Sequence, residues 1–109
     1  MTDKIVVLST CGSAEEAEKL ARLLVEQRLA ACVNVMPRIR SYYHWKDAVE
    51  SAEECLLVIK STRDRMEAIR ASIEKEHSYE VPEVIALPVV DGSPDYLRWL
   101  ETSLERKPG

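Results

Sequence analysis

Glycine is scarce in this chain, with three in 109 residues. A glycine-rich loop that holds phosphate on backbone amides is therefore missing, and so are the P-loop and the dinucleotide fingerprint. Cysteine is also sparse. Cys11, Cys32 and Cys55 are odd in number and lack CxxC spacing, which excludes a disulfide framework and a thiolate zinc site of ordinary spacing. Three free thiols fit a reducing compartment, and the cytoplasm is the expectation. Long apolar runs are absent, so no stretch of about 18 residues reads as a membrane span. The start, Met1-Thr-Asp-Lys4, has no basic segment followed by an apolar run, and no secretory signal is expected. Positive charge is outweighed, with a net charge of -4. That balance argues against a broad nucleic-acid surface. No nucleophile, base and acid stand at a recognisable catalytic spacing, so no enzyme is expected.

What is present is a globular composition, 46% apolar, sized for one domain over residues 1–109 with its own core. The organising stretch is Ala31 to Lys60. It reads as two long strands, Ala31–Trp45 and Val49–Lys60, joined by Lys46-Asp47-Ala48. A usual strand has about 5–6 residues. At ~3.3 Å per residue an arm of this length spans roughly 40–50 Å, against a radius of gyration near ~13 Å for a compact domain of this size. The hairpin is therefore expected to project and to need a partner, most simply another copy of the chain. Pro37 lies inside the first arm, where its missing N–H predicts a bulge and a bend. Beyond it the odd positions Ile39, Tyr43 and Trp45 are the more apolar set. Near the tip, Glu50, Glu53 and Glu54 face candidate partners in Arg38, Arg40 and Lys46 across the arms.

The flanking segments follow two periods. Ile5–Leu8 is a continuous apolar run, expected to be a central strand buried on both faces. Ser13 with Glu16 forms a capping box, and Ala17, Leu20, Ala21, Leu24 and Val25 share one helix face up to about Arg28-Leu29. Thr62 opens a second helix with Met66, Ile69 and Ile73 inward, ending near Glu76 or His77. Val81–Val90 reads as a fourth strand that Pro82 and Pro88 restrict to an edge. Ser93-Pro94 starts a last helix carrying Leu97, Leu100 and Leu104 with Tyr96 and Trp99. Lys107-Pro-Gly109 is expected to fray. The order β-α-β-β-α-β-α describes an α+β, ferredoxin-like βαββαβ sandwich with an additional C-terminal helix and a long β2–β3 hairpin.

Several motifs together resemble one family. Leu29-Ala-Ala-Cys-Val-Asn-Val35, Pro37, Ser41-x-Tyr43-x-Trp45, Leu57-x-Ile59-Lys60, His77-x-Tyr79-x-Val81-Pro82-Glu83, Ala86-Leu87-Pro88-Val89 and Asp95-Tyr96-Leu97-x-Trp99 are similar to the CutA divalent-cation-tolerance proteins. The resemblance covers nearly the whole chain. It implies a homotrimer of P-II-like architecture, a link to copper and other divalent metals, and no secure reaction. The family usually has Gly where Arg38 stands and Glu-Gly where Lys46-Asp47 stand. Its proposed copper ligands, a Cys and a His-His pair, align with Ser9, Glu76 and His77, and Ser78 stands where a Pro is usual. His77 is kept, Cys11 lies two residues from Ser9, and Glu76 offers an oxygen, so the candidate metal residues are His77, Cys11 and Glu76. Copper or another divalent metal is the expected ligand, with no organic cofactor.

Each candidate has an ordinary reading beside it. His77 caps a helix end, and Cys11 is a small buried hydrophobe. Cys32 is either core or pocket lining. Lys60 is either a strand-end lysine with its stem packed or a contact for a ligand anion. With Tyr79 and Glu83, Cys32 and Lys60 form the candidate ligand cleft. Tyr42, Tyr43, Trp45 and Trp99 are the candidate trimer interface rather than a stacking platform for nucleic acid. Two functions follow: a homotrimeric, non-enzymatic protein of divalent-metal tolerance, or a P-II-like signalling or scaffold trimer that binds a small metabolite or a partner protein.

Overall fold

The computed structural model describes residues 1–105, so the expected fray at Lys107–Gly109 lies outside the described residues. The elements are β1 (Lys4–Cys11), α1 (Ala14–Glu26), β2 (Cys32–Trp45), β3 (Ala48–Thr62), a 3-10 turn (Arg63–Arg65), α2 (Met66–Glu76), β4 (Ile85–Pro88) and α3 (Pro94–Leu104). The strands make one antiparallel sheet in the order β2-β3-β1-β4. This is the ferredoxin-like sandwich with one helix added.

The core lies between the sheet and the first two helices. Alternation sends Ile5, Val7 and Cys11 of β1 and Cys55, Leu57 and Ile59 of β3 to the helix side. There they pack with Ala17, Leu20 and Leu24 of α1 and with Ile69 and Ile73 of α2. Each fully buried aliphatic side chain contributes on the order of 1.5–3 kcal/mol. The opposite face is less covered. Val6, Leu8, Leu56 and Val58 are only half-buried, so burial of β1 on both faces is not met within one chain, while Met36, Ile85 and Leu87 are exposed around them.

The hairpin projects. Pairing of β1 with β3 ends at Cys11 and Cys55, whereas β2 pairs with β3 on to Trp45 and Ala48. Ala48–Glu54 therefore belongs to a two-stranded arm about 20 Å long. The longest dimension of the chain is 49 Å and its radius of gyration is 14.8 Å. A two-stranded ribbon without a third layer is marginal in water.

Pro37 and Arg38 together oppose the single residue Cys55, between the pairs Met36–Leu56 and Ile39–Glu54. This is the bulge expected at Pro37, and Arg38 adopts φ 57°. One extra residue exchanges the faces of everything beyond it. Before the bulge the even positions Cys32, Asn34 and Met36 lie on the open face of the sheet. After it the odd positions Ile39, Tyr43 and Trp45 do. The bulge thus makes the apolar side of the arm continuous with Leu56 and Val58. At the tip Lys46 and Asp47 both have positive φ, 50° and 64°, so the loop is two residues of the mirror-image type that fits strand twist.

Other differences from the sequence reading have local causes. β4 is four residues long rather than ten. Pro82 cannot donate to a ladder, and the stretch before it is held by side chains described below; at the far end Val89 adds one backbone bond to Lys4 O. Only half of the capping box forms: Ser13 Oγ accepts from Glu16 N at 3.1 Å, while the Glu16 carboxylate turns elsewhere. Register sets Arg40 opposite Glu53, but among the described residues Glu50, Glu53 and Glu54 join no ion pair. The last carbonyls of α3 are met by two guanidinium groups, with Arg28 Nη1 donating to Ser103 O at 2.7 Å and Arg65 Nη2 to Leu104 O at 3.1 Å, where the helix dipole favours cations.

Candidate functional site

Three element ends meet at the root of the hairpin: the last residue of β1, the first turn of α1 and the residue after α2. They bring together Cys11 Sγ, a Glu16 carboxylate oxygen and a His77 ring nitrogen, all within 4.8 Å of one another. Cys11 and His77 are buried, at 0% and 9% exposure. Glu76 is not in this group. It ends α2 on the exposed side, because neighbours in a helix project in different directions. Glu16, read from sequence only as a capping residue, occupies the carboxylate place.

His77 is held on both ring nitrogens. Nε2 lies 2.7 Å from Thr10 O, and Tyr79 N donates to Nδ1 at 3.0 Å. A carbonyl only accepts and a backbone N–H only donates, so the proton sits on Nε2 and the lone pair on Nδ1. Glu16 Oε2 accepts from Ser78 N at 2.8 Å. Burial raises the Glu16 pKa, but the Ser78 hydrogen bonds and the nearby His77 outweigh it and leave the carboxyl below its ordinary range. The Cys11 thiol is pushed up to about 12, first by burial and then by the negative charge of Glu16 and of neighbouring Cys55 and Glu54.

Tyr79 continues the network. Its ring stands 4.7 Å from that of His77, and its hydroxyl donates to Glu54 Oε2 at 2.9 Å. Burial, then the bond to Glu54, raises the Tyr79 hydroxyl to about 12. The ring passes close over Gly12, where a Cβ would come within 3.0 Å of the hydroxyl. That close approach is a local reason for one of the three glycines.

Cys11, Glu16 and His77 have the composition and spacing of a cation site. In this conformation their chemistry does not fit a resident metal. The only lone pair of His77 is engaged by Tyr79 N, and Cys11 keeps its proton. A cation here requires both to be released.

The other predicted residues fall in separate places. Cys32 is directly opposite Lys60 across β2 and β3 on the open face. Lys60 Nζ donates to Asn34 Oδ1. Tyr79 sits at the hairpin root, and Glu83 is exposed before β4, so one chain does not gather all four into a cleft. Tyr42, Tyr43, Trp45 and Trp99 are all exposed, at 71%, 42%, 58% and 48%. Trp99 stacks on Tyr96 with centroids 5.6 Å apart.

Comparison with known proteins gives a single direction. Residues 5–103 match the family described as CutA1 divalent ion tolerance protein. Protein CutA, chloroplastic, of Arabidopsis thaliana is 46% identical over 99 residues, covering 91% of this chain and 54% of that protein. The chain thus spans about half the length of that relative. The divalent-cation tolerance protein CutA of Thermus thermophilus is 43% identical over 95 residues, 87% of this chain and 92% of that one. The crystal structure of CutA from Xylella fastidiosa superposes with a TM-score of 0.93 at 36% identity, covering 95% of this chain and 100% of that chain.

Proposed function

The chain belongs to the CutA1 divalent ion tolerance family, and from that premise we propose that it acts as a homotrimer in divalent-cation tolerance, copper first among the ions, without catalysing a reaction. The observation that carries the assembly is the open face of the sheet. Half-buried Val6, Leu8, Leu56 and Val58 run on through Ile39 to exposed Tyr43 and Trp45 along an arm that has no third strand. Exposed apolar surface of this extent marks an interface, and a closed ring of three copies covers every arm. Trp99 and Tyr42 join the interface in this reading.

In this reading ligand is taken in or near the clefts between subunits, with Cys32, Lys60, Tyr79 and Glu83 as the candidate lining. Cys32 is the more accessible of the soft donors, since Cys11 is fully buried. The Cys11, Glu16 and His77 group is the second place for a cation, open only after Tyr79 releases Nδ1. Glu76, at the surface end of α2, is left as a peripheral oxygen. The protein is placed in the cytoplasm, where its thiols stay reduced; among the described residues no helix is long and apolar enough to cross a membrane.

Calorimetric titration of the assembled protein with Cu(II) tests the reading. Saturable binding that is lost in Cys32→Ala assigns the cleft; loss in Cys11→Ala with His77→Ala assigns the inner group. Absence of any saturable heat removes copper. The closed state of the inner group favours a second reading, a P-II-like signalling or scaffold trimer whose cleft takes a small organic anion on Lys60 or docks a partner protein, with metal incidental. A thermal-shift screen of nucleotides and carboxylates tests the small-molecule form, because a ligand of the native state raises apparent stability.

A further inference from the structure

Cys11 and Cys55 are direct cross-strand partners on β1 and β3. Both lie on the helix side of the sheet, at 0% and 5% exposure, and both are free. The class of pair follows from the ladder. Arg63 N donates to Asp3 O at 2.8 Å, so Asp3 and Arg63 are a hydrogen-bonded pair one step before the strand register begins. Such pairs alternate along an antiparallel ladder. The register runs without a shift from Lys4–Thr62 to Cys11–Cys55, so Cys11 and Cys55, an even number of steps away, are a hydrogen-bonded pair too. Their Cα atoms are then about 5.5 Å apart, inside the ~4.4–6.8 Å range that a disulfide spans. Cys32 is excluded from this pairing, because it lies on β2 opposite Lys60 and on the other face.

We propose that Cys11 and Cys55 are a latent cross-strand disulfide, closed by hydrogen peroxide, which is small enough to reach the hairpin root. Cys55, the less deeply buried thiol, attacks first: the O–O bond of the peroxide breaks, a sulfenic acid forms and one water leaves. The Cys11 sulfur then forms the S–S bond, and its hydrogen departs with the sulfenic oxygen as a second water. The two thiols lose two electrons in all, and the peroxide is the species reduced. Closure ties β1 to β3 where the two-stranded arm begins. It also takes Cys11 away from Glu16 and His77, so oxidation and cation binding at the inner group exclude each other.

The link is read without metal, which separates its failure from failure of the cation reading. The intact folded protein is treated with hydrogen peroxide in the presence of a chelator, then unfolded without reductant and digested with trypsin. Cys11, Cys32 and Cys55 fall in three different peptides, residues 5–19, 29–38 and 47–60. The expected product joins 5–19 to 47–60 with the loss of two hydrogen atoms, and free thiols per chain fall from three to one in the wild type and from two to none in the Cys32→Ser variant. Thiols left unreacted at Cys11 and Cys55, sulfinic acid on either without the link, or linkage through Cys32 alone overturns the proposal.

Discussion

Replacing Arg38 by glycine is expected to stabilise the protein. Arg38 holds φ 57° at the bulge, its side chain is exposed, and it takes part in no hydrogen bond or ion pair among the described residues. A non-glycine residue in the left-handed region carries about 1–2 kcal/mol of steric strain. Glycine removes that strain and adds about 0.5–1 kcal/mol of unfolded-state entropy. The balance is a gain of roughly 0.5–1 kcal/mol per chain, or about 3–6 °C in Tm for a domain near this size. Arg38→Val should move the other way, since a β-branched residue tolerates positive φ poorly. Arg28 is the control for side-chain loss. It has nearly the same φ, 60°, but donates to Ser103 O. A hydrogen bond from a charged group contributes about 1.5–3 kcal/mol, so Arg28→Gly should be destabilising despite the relieved backbone. Thermal melts and urea titrations of the three variants measure this. If Arg38→Gly melts at or below the wild type while Arg38→Val matches it, the strain argument is wrong.

Deleting Arg38 removes the bulge together with its extra residue, so Pro37 alone meets Cys55, Ile39 still meets Glu54, and Ile39, Tyr43 and Trp45 keep the open face; an oligomer retained in sedimentation is the expected result, and its loss would show that the bend at the bulge, not the face alone, is needed. Tyr79→Phe removes the donor to Glu54 and should lower stability by about 1 kcal/mol, the Tyr79 ring being partly exposed. The folded Tyr79 pKa of about 12 lies above the unfolded value near ~10. Its contribution is therefore complete below the unfolded value and fades as pH rises toward the folded one, and alkaline melts of the two proteins should converge. Glu16→Gln tests the opposite sign. The folded Glu16 pKa is lowered, so its stabilisation, under about 1 kcal/mol, holds above the unfolded value and disappears in acid, where wild type and variant should unfold together.

The hairpin was legible because its signal is local: two long β-rich runs with a short loop, and a proline that a ladder cannot absorb. Which face the apolar residues take was not, because that depends on pairing Pro37 and Arg38 against the single residue Cys55 on another strand. The same limit separates local from distant partners at the hairpin root. Ser13 and Glu16 sit at capping-box spacing, yet the Glu16 carboxylate bonds Ser78, brought in by the fold. Glu76 is a candidate through its alignment with the family's His-His pair, but a helix end points neighbours such as Glu76 and His77 apart, and the carboxylate near His77 comes from a different helix. Tyr79 to Glu54 and Cys11 to Cys55 likewise depend on how strands and loops meet. β4 is shorter than the strand composition of Val81–Val90 suggests, because Pro82 and the grip of His77 and Glu16 on the preceding loop outweigh that propensity.

The central claim is that the open sheet face and the unsupported arm are covered by two further copies of the chain. Light scattering on the folded protein at micromolar concentration tests it most directly. The expected mass is three times the chain's 12.4 kDa. A folded, stable species at the mass of one chain would contradict it.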